Sequence, residues 1–348
     1  MADLLNQATT SIDMEIYEMD DPTVIAALRG ALSRGVTVHI VKEPKPVGAA
    51  CKVFDSESDD PGSNGDAAAC DDQRQLVADV NQAGGKYVPF AKDSLCSSSR
   101  CLEHGKVVVV DSSIALVTSG NFNTTNLCDT SYSPKTCNRD YSYLTPDPDI
   151  AQSLESVIES DIEGSSYDIG SVIRPGADQK LTIGPNSMDP LVAFIQSAKT
   201  SILVENQYLK DPTLNSALIA AANNGVSVQI VLASACSFGR PKASEVKKLT
   251  SIFTDFDNAG ITTKMFNKNI MIDGLAGYLH AKAIVIDGQR AWMGSVNGST
   301  QALTANREFG VFIEDASDVA ALGSVMSDDF SNPREESWQD SLRCAENN

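Results

Sequence analysis

The chain repeats itself, and an internal repeat restricts a sequence to one structural unit built more than once. Ser11-Ile12 to Asp21-Pro22-Thr23, then Ala27-Leu28, then Gly35-Val36-Thr37-Val38-His39-Ile40-Val41 forms the first copy. Ser201-Ile202 to Asp211-Pro212-Thr213, then Ala217-Leu218, then Gly225-Val226-Ser227-Val228-Gln229-Ile230-Val231 forms the second. The offset is 190 residues throughout, 201 minus 11. Each copy reads as strand, helix, strand. Asp21 or Asp211 caps the helix with proline at its first position, Gly35 or Gly225 ends it, and a β-branched run follows.

The repeat continues with a shrinking offset. Leu102-Glu103-His104-Gly105-Lys106-Val107-Val108-Val109-Val110-Asp111 matches Leu279-His280-Ala281-Lys282-Ala283-Ile284-Val285-Ile286-Asp287 at 176, 280 minus 104. Ser119 and Asn121 match Ser295 and Asn297 at the same offset, and Asn138-Arg139-Asp140 matches Asn306-Arg307-Glu308 at 168, 308 minus 140. The first half therefore carries extra residues around its histidine, in cysteine-bearing loops. Alternating strands and helices predict an α/β fold. Two homologous lobes are expected, residues 1–165 and 166–348, each a mainly parallel sheet flanked by helices, packed as one pseudo-twofold bilobal unit. The stretch from Thr145 to Pro190, rich in Asp, Ser, Gly and Pro, reads as the passage between them.

Composition limits the partners. With 348 residues and 42% hydrophobic side chains the chain can bury a sizeable core. No run of eighteen apolar residues marks a membrane span. A charged region followed by an apolar one is also lacking at the start, so a signal peptide is not expected within this sequence. The net charge of −19 repels polyanions and weighs against tracking along nucleic acid. Eight cysteines, six of them in the first half, lie in loop-like surroundings without paired C-x-x-C spacing. They read as disulfides of an oxidising compartment rather than a zinc site, the alternative being free thiols in a cytosolic protein. Proximity pairs Cys51 with Cys70, Cys96 with Cys101, Cys128 with Cys137, and Cys236 with Cys344, although spacing alone leaves the connectivity open.

Two of the three histidines open an H-x-K-x4-D pattern, His104 with Lys106 and Asp111, and His280 with Lys282 and Asp287. Side chains two apart on a strand share a face, so each histidine and its lysine point together. Asp111 and Asp287 fall on the opposite parity and read as structural groups. A buried unpaired ammonium costs several kcal/mol, so a lysine inside an apolar strand asks for an anion, and a substrate phosphate is one. A strand that merely holds a satisfied histidine leaves both lysines unexplained. Asn121 and Asn297, with Ser119 and Ser295, are expected to bind substrate, the amides donating to phosphate oxygens. Asp140 and Glu308 are expected to hydrogen-bond the far imidazole nitrogen, setting its tautomer and basicity. Glu15 and Tyr17, with Glu205, Asn206 and Gln207 at the matching strand end, are expected to shape the pocket. His39, matched by Gln229, is expected to have no catalytic part.

These residues resemble the phospholipase D superfamily, whose members hold two such units. The resemblance runs from about Leu4 to Phe330, and Gly294-Ser295-Val296-Asn297 through Asn306-Arg307-Glu308-Phe309-Gly310-Val311 is similar to the family's second motif region. It implies a phosphodiesterase working by double displacement, with His104 as nucleophile, His280 as acid, and Lys106, Lys282, Asn121 and Asn297 on the phosphate oxygens. No metal or other cofactor is required by that scheme. The leading expectation is a phospholipase D hydrolysing glycerophospholipid headgroups and transferring phosphatidyl to alcohols. The alternative is a nuclease, because Ser119-Gly120-Asn121-Phe122-Asn123 is similar to nuclease members. A cardiolipin synthase-type phosphatidyltransferase and a non-catalytic phosphate-binding member stand behind those. The expected partner is phospholipid at a membrane or micelle surface, with nucleic acid disfavoured by charge. A secreted or periplasmic monomer is expected.

Overall fold

The computed structural model describes residues 1–47, 51, 53–54, 67–96, 98, 100–237 and 239–344. The first lobe is built on β1 (Ser11–Ile16), β2 (Thr37–Lys42), β3 (Lys86–Pro89), β4 (Lys106–Val110) and β5 (Ile114–Thr118). β6 (Thr136–Arg139) leaves this sheet, and β7 (Ser142–Thr145) rejoins it to give the order β3-β2-β1-β4-β5-β7. The second lobe places β8 (Leu181–Ile183), β9 (Ser201–Asn206), β10 (Ser227–Ala233), β11 (Thr262–Phe266), β14 (Lys282–Ile286), β15 (Arg290–Gly294), β16 (Phe309–Ile313) and β17 (Glu336–Ser337) in one eight-stranded sheet. Two further strands, β12 (Met271–Ile272) and β13 (Leu275–Leu279), join β6 in a small third sheet.

The repeated strand–helix–strand units form as the sequence predicts. The helix Pro22–Ser33 starts where the Asp21 carboxylate accepts from Thr23 N and Val24 N, and the chain leaves it through Gly35 at φ 84°. Asp211 and Gly225 do the same for the helix Pro212–Asn223. β1 and β2 pair in parallel, as do β9 and β10. The histidine-bearing part of each lobe runs the other way. β4 lies antiparallel to β1 and β14 antiparallel to β9, and each turns back through a hairpin into β5 or β15. A link as short as Asp111-Ser112-Ser113 cannot cross over to make a parallel neighbour. The parallel character therefore belongs to the strand–helix–strand units, and each whole sheet is mixed.

One apolar layer is common to both lobes. Val107 and Val109 of β4 pack in the same cluster as Ala283 and Val285 of β14, with the helix Pro148–Glu163 and the helix Ala316–Ser331. The opposite parity of each strand faces its own lobe, Val108 and Val110 toward the helix Pro22–Ser33, Ile284 and Ile286 toward the helix Pro212–Asn223. The helix Pro148–Glu163 falls within the stretch read as a passage between lobes. Its signals were present: Asp147 caps it, Pro148 opens it, and Ile150, Ala151, Leu154, Val157 and Ile158 recur at helical spacing. Among the described residues no helix is long and apolar enough to cross a membrane. The four disulfides join the pairs that proximity indicated.

Two ion pairs cross between the lobes in matched positions. Arg307 of the second lobe grips Asp161 of the first, Nε to Oδ2 at 2.7 Å and Nη2 to Oδ1 at 3.0 Å. Arg139 of the first grips Asp329 of the second at 2.6 and 3.0 Å. Both pairs are bidentate, but Arg307 is 4% exposed and Arg139 24%. Removing one partner of a buried pair strands the other charge, which costs about 3–5 kcal/mol. Asp161→Ala is expected to lose that much stability in urea unfolding, and Asp329→Ala distinctly less. Equal losses would show that burial of the pair is not what sets its contribution.

Candidate functional site

His104 and His280 open onto one cavity of about 1260 Å³. The backbone brings them there by a reciprocal exchange. His104 N donates to Arg307 O at 2.8 Å, and His280 N donates to Arg139 O at 3.0 Å. β13, which ends at Leu279, pairs in parallel with β6, which ends at Arg139. Each histidine is thus laid beside the N-R-D/E segment of the opposite lobe, and the carboxylates follow. His104 Nδ1 meets Glu308 Oε2 at 2.9 Å, and His280 Nδ1 meets Asp140 Oδ1 at 2.9 Å. With each Nδ1 engaged by a carboxyl group, Nε2 is the nitrogen that faces no such partner.

Both lysines are fully buried beneath the imidazoles. Lys106 Nζ donates to His104 O at 2.6 Å, and Lys282 Nζ donates to His280 O. Burial pushes Lys106 down to about 8 and Lys282 to about 7, against the pull of Glu308 and Asp140. Burial and the two ammonium groups also hold both imidazoles below their ordinary pKa, His104 well below. The two carboxyls differ. Burial raises Glu308 to about 8. Burial acts to raise Asp140 as well, but His280, Lys282 and the Asn126 amide outweigh it and hold Asp140 below the usual carboxylate range.

The hydroxyls of Ser119 and Ser295 are buried and donate to Asp140 Oδ1 at 2.7 Å and Glu308 Oε2 at 2.6 Å. They therefore steady the carboxylates, and neither serine is among the residues that line the cavity. Asn121 and Asn297 do line the cavity. Asp111 and Asp287 lie at the far ends of β4 and β14 from the histidines, at φ 51° and 56°. The Asp111 carboxylate accepts from the N–H groups of Thr9, Thr10 and Ser11, and that of Asp287 from Lys199, Thr200 and Ser201. Each fastens the start of β1 or β9 to its hairpin. Tyr17 and Gln207 line the cavity. Glu15 and Glu205 are fully buried, the latter accepting from Tyr141 OH at 2.8 Å, and Asn206 Oδ1 accepts from Gly298 N at 3.3 Å. His39 pairs with Asp13 at 3.0 Å and is not a lining residue.

Asn126 was missed. Its Nδ2 donates to Asp140 Oδ2 at 2.7 Å and lies 3.2 Å from His280 Nδ1. No repeat signal marks it, since the matching position, 176 residues on, is Ala302. On the other side the supporting amide is Asn306, whose Nδ2 donates to Glu308 Oε1 at 3.1 Å. Asn306 was visible in the repeat but was not singled out. Among the described residues no group of three or more His, Cys, Asp or Glu is placed to hold a metal.

Two histidine–lysine units from a duplicated fold, sharing one cavity, define a two-lobed protein of the phospholipase D kind. Residues 1–162 and 191–330 match the family described as cardiolipin synthase, PLD-like domain, and the chain belongs to that family within the phospholipase D superfamily. It is 28% identical over 172 residues to the major cardiolipin synthase of Bacillus subtilis strain 168, covering 47% of this chain and 33% of that one. It is 26% identical over 276 residues to a probable cardiolipin synthase of the same organism, covering 74% of this chain and 52% of that one. The chain thus spans about half, or less, of the length of these relatives. A phosphatidylserine synthase from Haemophilus influenzae Rd KW20 has the same fold, with a TM-score of 0.64 at 12% identity over 96% of this chain and 84% of that one.

The difference between the two carboxyls can be read directly, because only three histidines titrate. By NMR, one imidazole, His39 beside Asp13, is expected above its ordinary pKa and two below. Asp140→Asn removes a charge that raises His280, so His280 should fall further. Glu308→Gln should move His104 less, since Glu308 titrates near 8 and is mostly uncharged at pH 7. Equal shifts would show that both carboxyls are ionised alike.

Proposed function

We propose that the protein is a phosphodiesterase that transfers a phosphatidyl or similar phosphoryl group through a phosphohistidine on His104. The observation that carries this reading is the pair of imidazoles in one cavity, each with Nδ1 on a carboxyl group and a buried lysine beneath it. His104 Nε2 attacks phosphorus, the bond to the leaving alcohol breaks, and His280 delivers its Nε2 proton to that alcohol's oxygen. Water or a second alcohol then attacks the phosphohistidine, His280 takes the proton back, and the phosphorus–nitrogen bond breaks. Lys106, Lys282, Asn121 and Asn297 hold the non-bridging oxygens.

The carboxyl difference supports this division of labour. An ionised Asp140 makes His280 the better holder of a proton, whereas His104, beside a largely uncharged Glu308, keeps its lone pair. The anionic diester itself raises both imidazoles when it enters, so the acid is charged by the substrate it serves. Relatives named cardiolipin synthases favour a phospholipid diester and transfer to an alcohol alongside hydrolysis of a headgroup. The net charge of −19 weighs against nucleic acid as substrate. Four disulfides support an oxidising, extracytoplasmic setting.

Two in-line displacements give net retention at a chiral phosphorus. Turnover of a soluble short-chain phospholipid carrying a chiral phosphorothioate is expected to retain configuration. Inversion would mean direct attack by water with the histidines as base and acid.

The pH dependence follows from the lysines. A lysine whose pKa is lowered keeps its charge only below that value and loses it as pH rises through it. In the free enzyme, kcat/KM should therefore decline on the alkaline side between pH about 7 and 8, where Lys282 and Lys106 deprotonate. Bound phosphate holds those protons, so the alkaline limb of kcat should lie at higher pH. Coincident limbs would show that the lysines do not meet the phosphate.

A further inference from the structure

We infer that the two lobes are closed by a pair of proton-dependent latches, in each of which a buried glutamate, Glu15 or Glu205, keeps its proton beside an inter-lobe arginine–aspartate pair. The two glutamates hold matched places in the repeat, 205 minus 15 being 190. Both are fully buried. Neither Glu15 oxygen has a hydrogen-bond partner, nor has Glu205 Oε1. Around Glu15 stand Asp161, Glu103, Arg307 and Tyr167. Arg307 commits Nε and Nη2 to Asp161 and Nη1 to Gly184 O, which leaves Glu15 Oε1 at 3.8 Å from Nε. Tyr167 OH donates to Asp161 Oδ1 at 2.8 Å. Asp161 is the neighbour within bonding reach of Glu15, yet two ionised carboxylates can only accept. A proton on Glu15 makes it the donor that contact needs.

The second latch repeats the arrangement with other neighbours. Asp329, Tyr141, Arg139 and Glu335 surround Glu205. Arg139 grips Asp329 through Nε and Nη2, and Tyr141 OH donates to Glu205 Oε2 at 2.8 Å, so Oε1 is the oxygen left to carry a proton. Lys264, the next cation, faces Glu335 at 3.5 Å and donates to Phe330 O. In both latches the arginine charge is matched by the aspartate, and an ionised glutamate would be a buried anion without a counter-charge. Burial, with Asp161 and Glu103 beside it, accordingly pushes Glu15 well above the carboxylate range, and burial with Asp329 pushes Glu205 up to about 8. In the unfolded chain a glutamate titrates near about 4.3. A carboxyl raised on folding contributes fully below its unfolded pKa, and that contribution is lost as pH rises toward the folded value. The latches bear on the cavity because the same arginines hold its histidines, Arg307 O accepting from His104 N and Arg139 O from His280 N. The shared cavity is therefore held together best in mildly acidic surroundings.

The experiment follows urea unfolding, with the disulfides intact, of the wild type, Glu15→Gln and Glu205→Gln across a range of pH. Glutamine is as neutral as a protonated glutamate and keeps a donor. The ratio of wild-type to Glu205→Gln unfolding constants is expected to rise about tenfold per pH unit between about 5 and 8, one proton's worth, and to level off above that. For Glu15→Gln the ratio should rise in the same sense. Comparing each variant with the wild type cancels the titration of every other group. Where glutamine packs poorly, Glu205→Met and Glu15→Met should give the same slope on a shifted baseline, because the slope comes from the wild-type proton and not from the replacement. A ratio that stays flat with pH, or that falls, overturns the latch, since the glutamate would then be an ionised partner of its arginine. The measurement needs no substrate, so its outcome is independent of the diesterase reading.

Discussion

Each cavity imidazole is completed by a carboxyl group from the opposite lobe, and that exchange is the constraint on which the remaining structure depends. His104 reaches Glu308 and His280 reaches Asp140 only because the segment after each hairpin crosses to lie beside the other lobe's histidine strand. The crossing is fastened at its base by Arg307 on Asp161 and Arg139 on Asp329. It is sealed by the apolar layer that both sheets share. Neither lobe contains a complete site.

Inside an acidic protein, two fully buried ammonium groups lie against the backbone of the two cavity histidines. Burying two like charges near each other is unfavourable, and the chain offsets it with Glu308, Asp140 and the histidine carbonyls. The offset is partial, as the lowered pKa of both lysines and both imidazoles records. In the proposed reaction the phosphodiester anion supplies the missing negative charge. On that reading, affinity for the substrate and relief of the unfavourable electrostatics are one interaction.

The two halves are alike in backbone and unlike in support. Glu308 leans on Ser295 and Asn306, whereas Asp140 leans on Ser119 and on Asn126, which has no counterpart in the repeat. Burial raises Glu308 to about 8, whereas His280, Lys282 and the Asn126 amide hold Asp140 below the usual carboxylate range. Duplication alone yields two equal histidines; the proposed division of roles between them rests on this departure from symmetry.

Much of this was legible in the residues. The constant offset, the Asp-Pro caps and the glycine stops determine two strand–helix–strand units, because those signals act over a few neighbouring residues. The paired H-x-K-x4-D patterns pick out His104, Lys106, His280 and Lys282, because ionisable groups within apolar strands need a partner, and proximity picked out the four disulfides. The antiparallel course of β4 and β14, the helix at Pro148–Glu163, the burial of Ser119 and Ser295 against carboxylates, and the place of Asn126 were not read. Strand direction depends on which neighbour a hairpin finds, and a side chain's partner depends on contacts between segments more than a hundred residues apart. Above all, a repeat says that Asp140 and Glu308 are equivalent but not whose histidine each will serve. Only the packing of one lobe against the other decides that, since the crossing strands gain backbone hydrogen bonds and buried ion pairs that no single half can form.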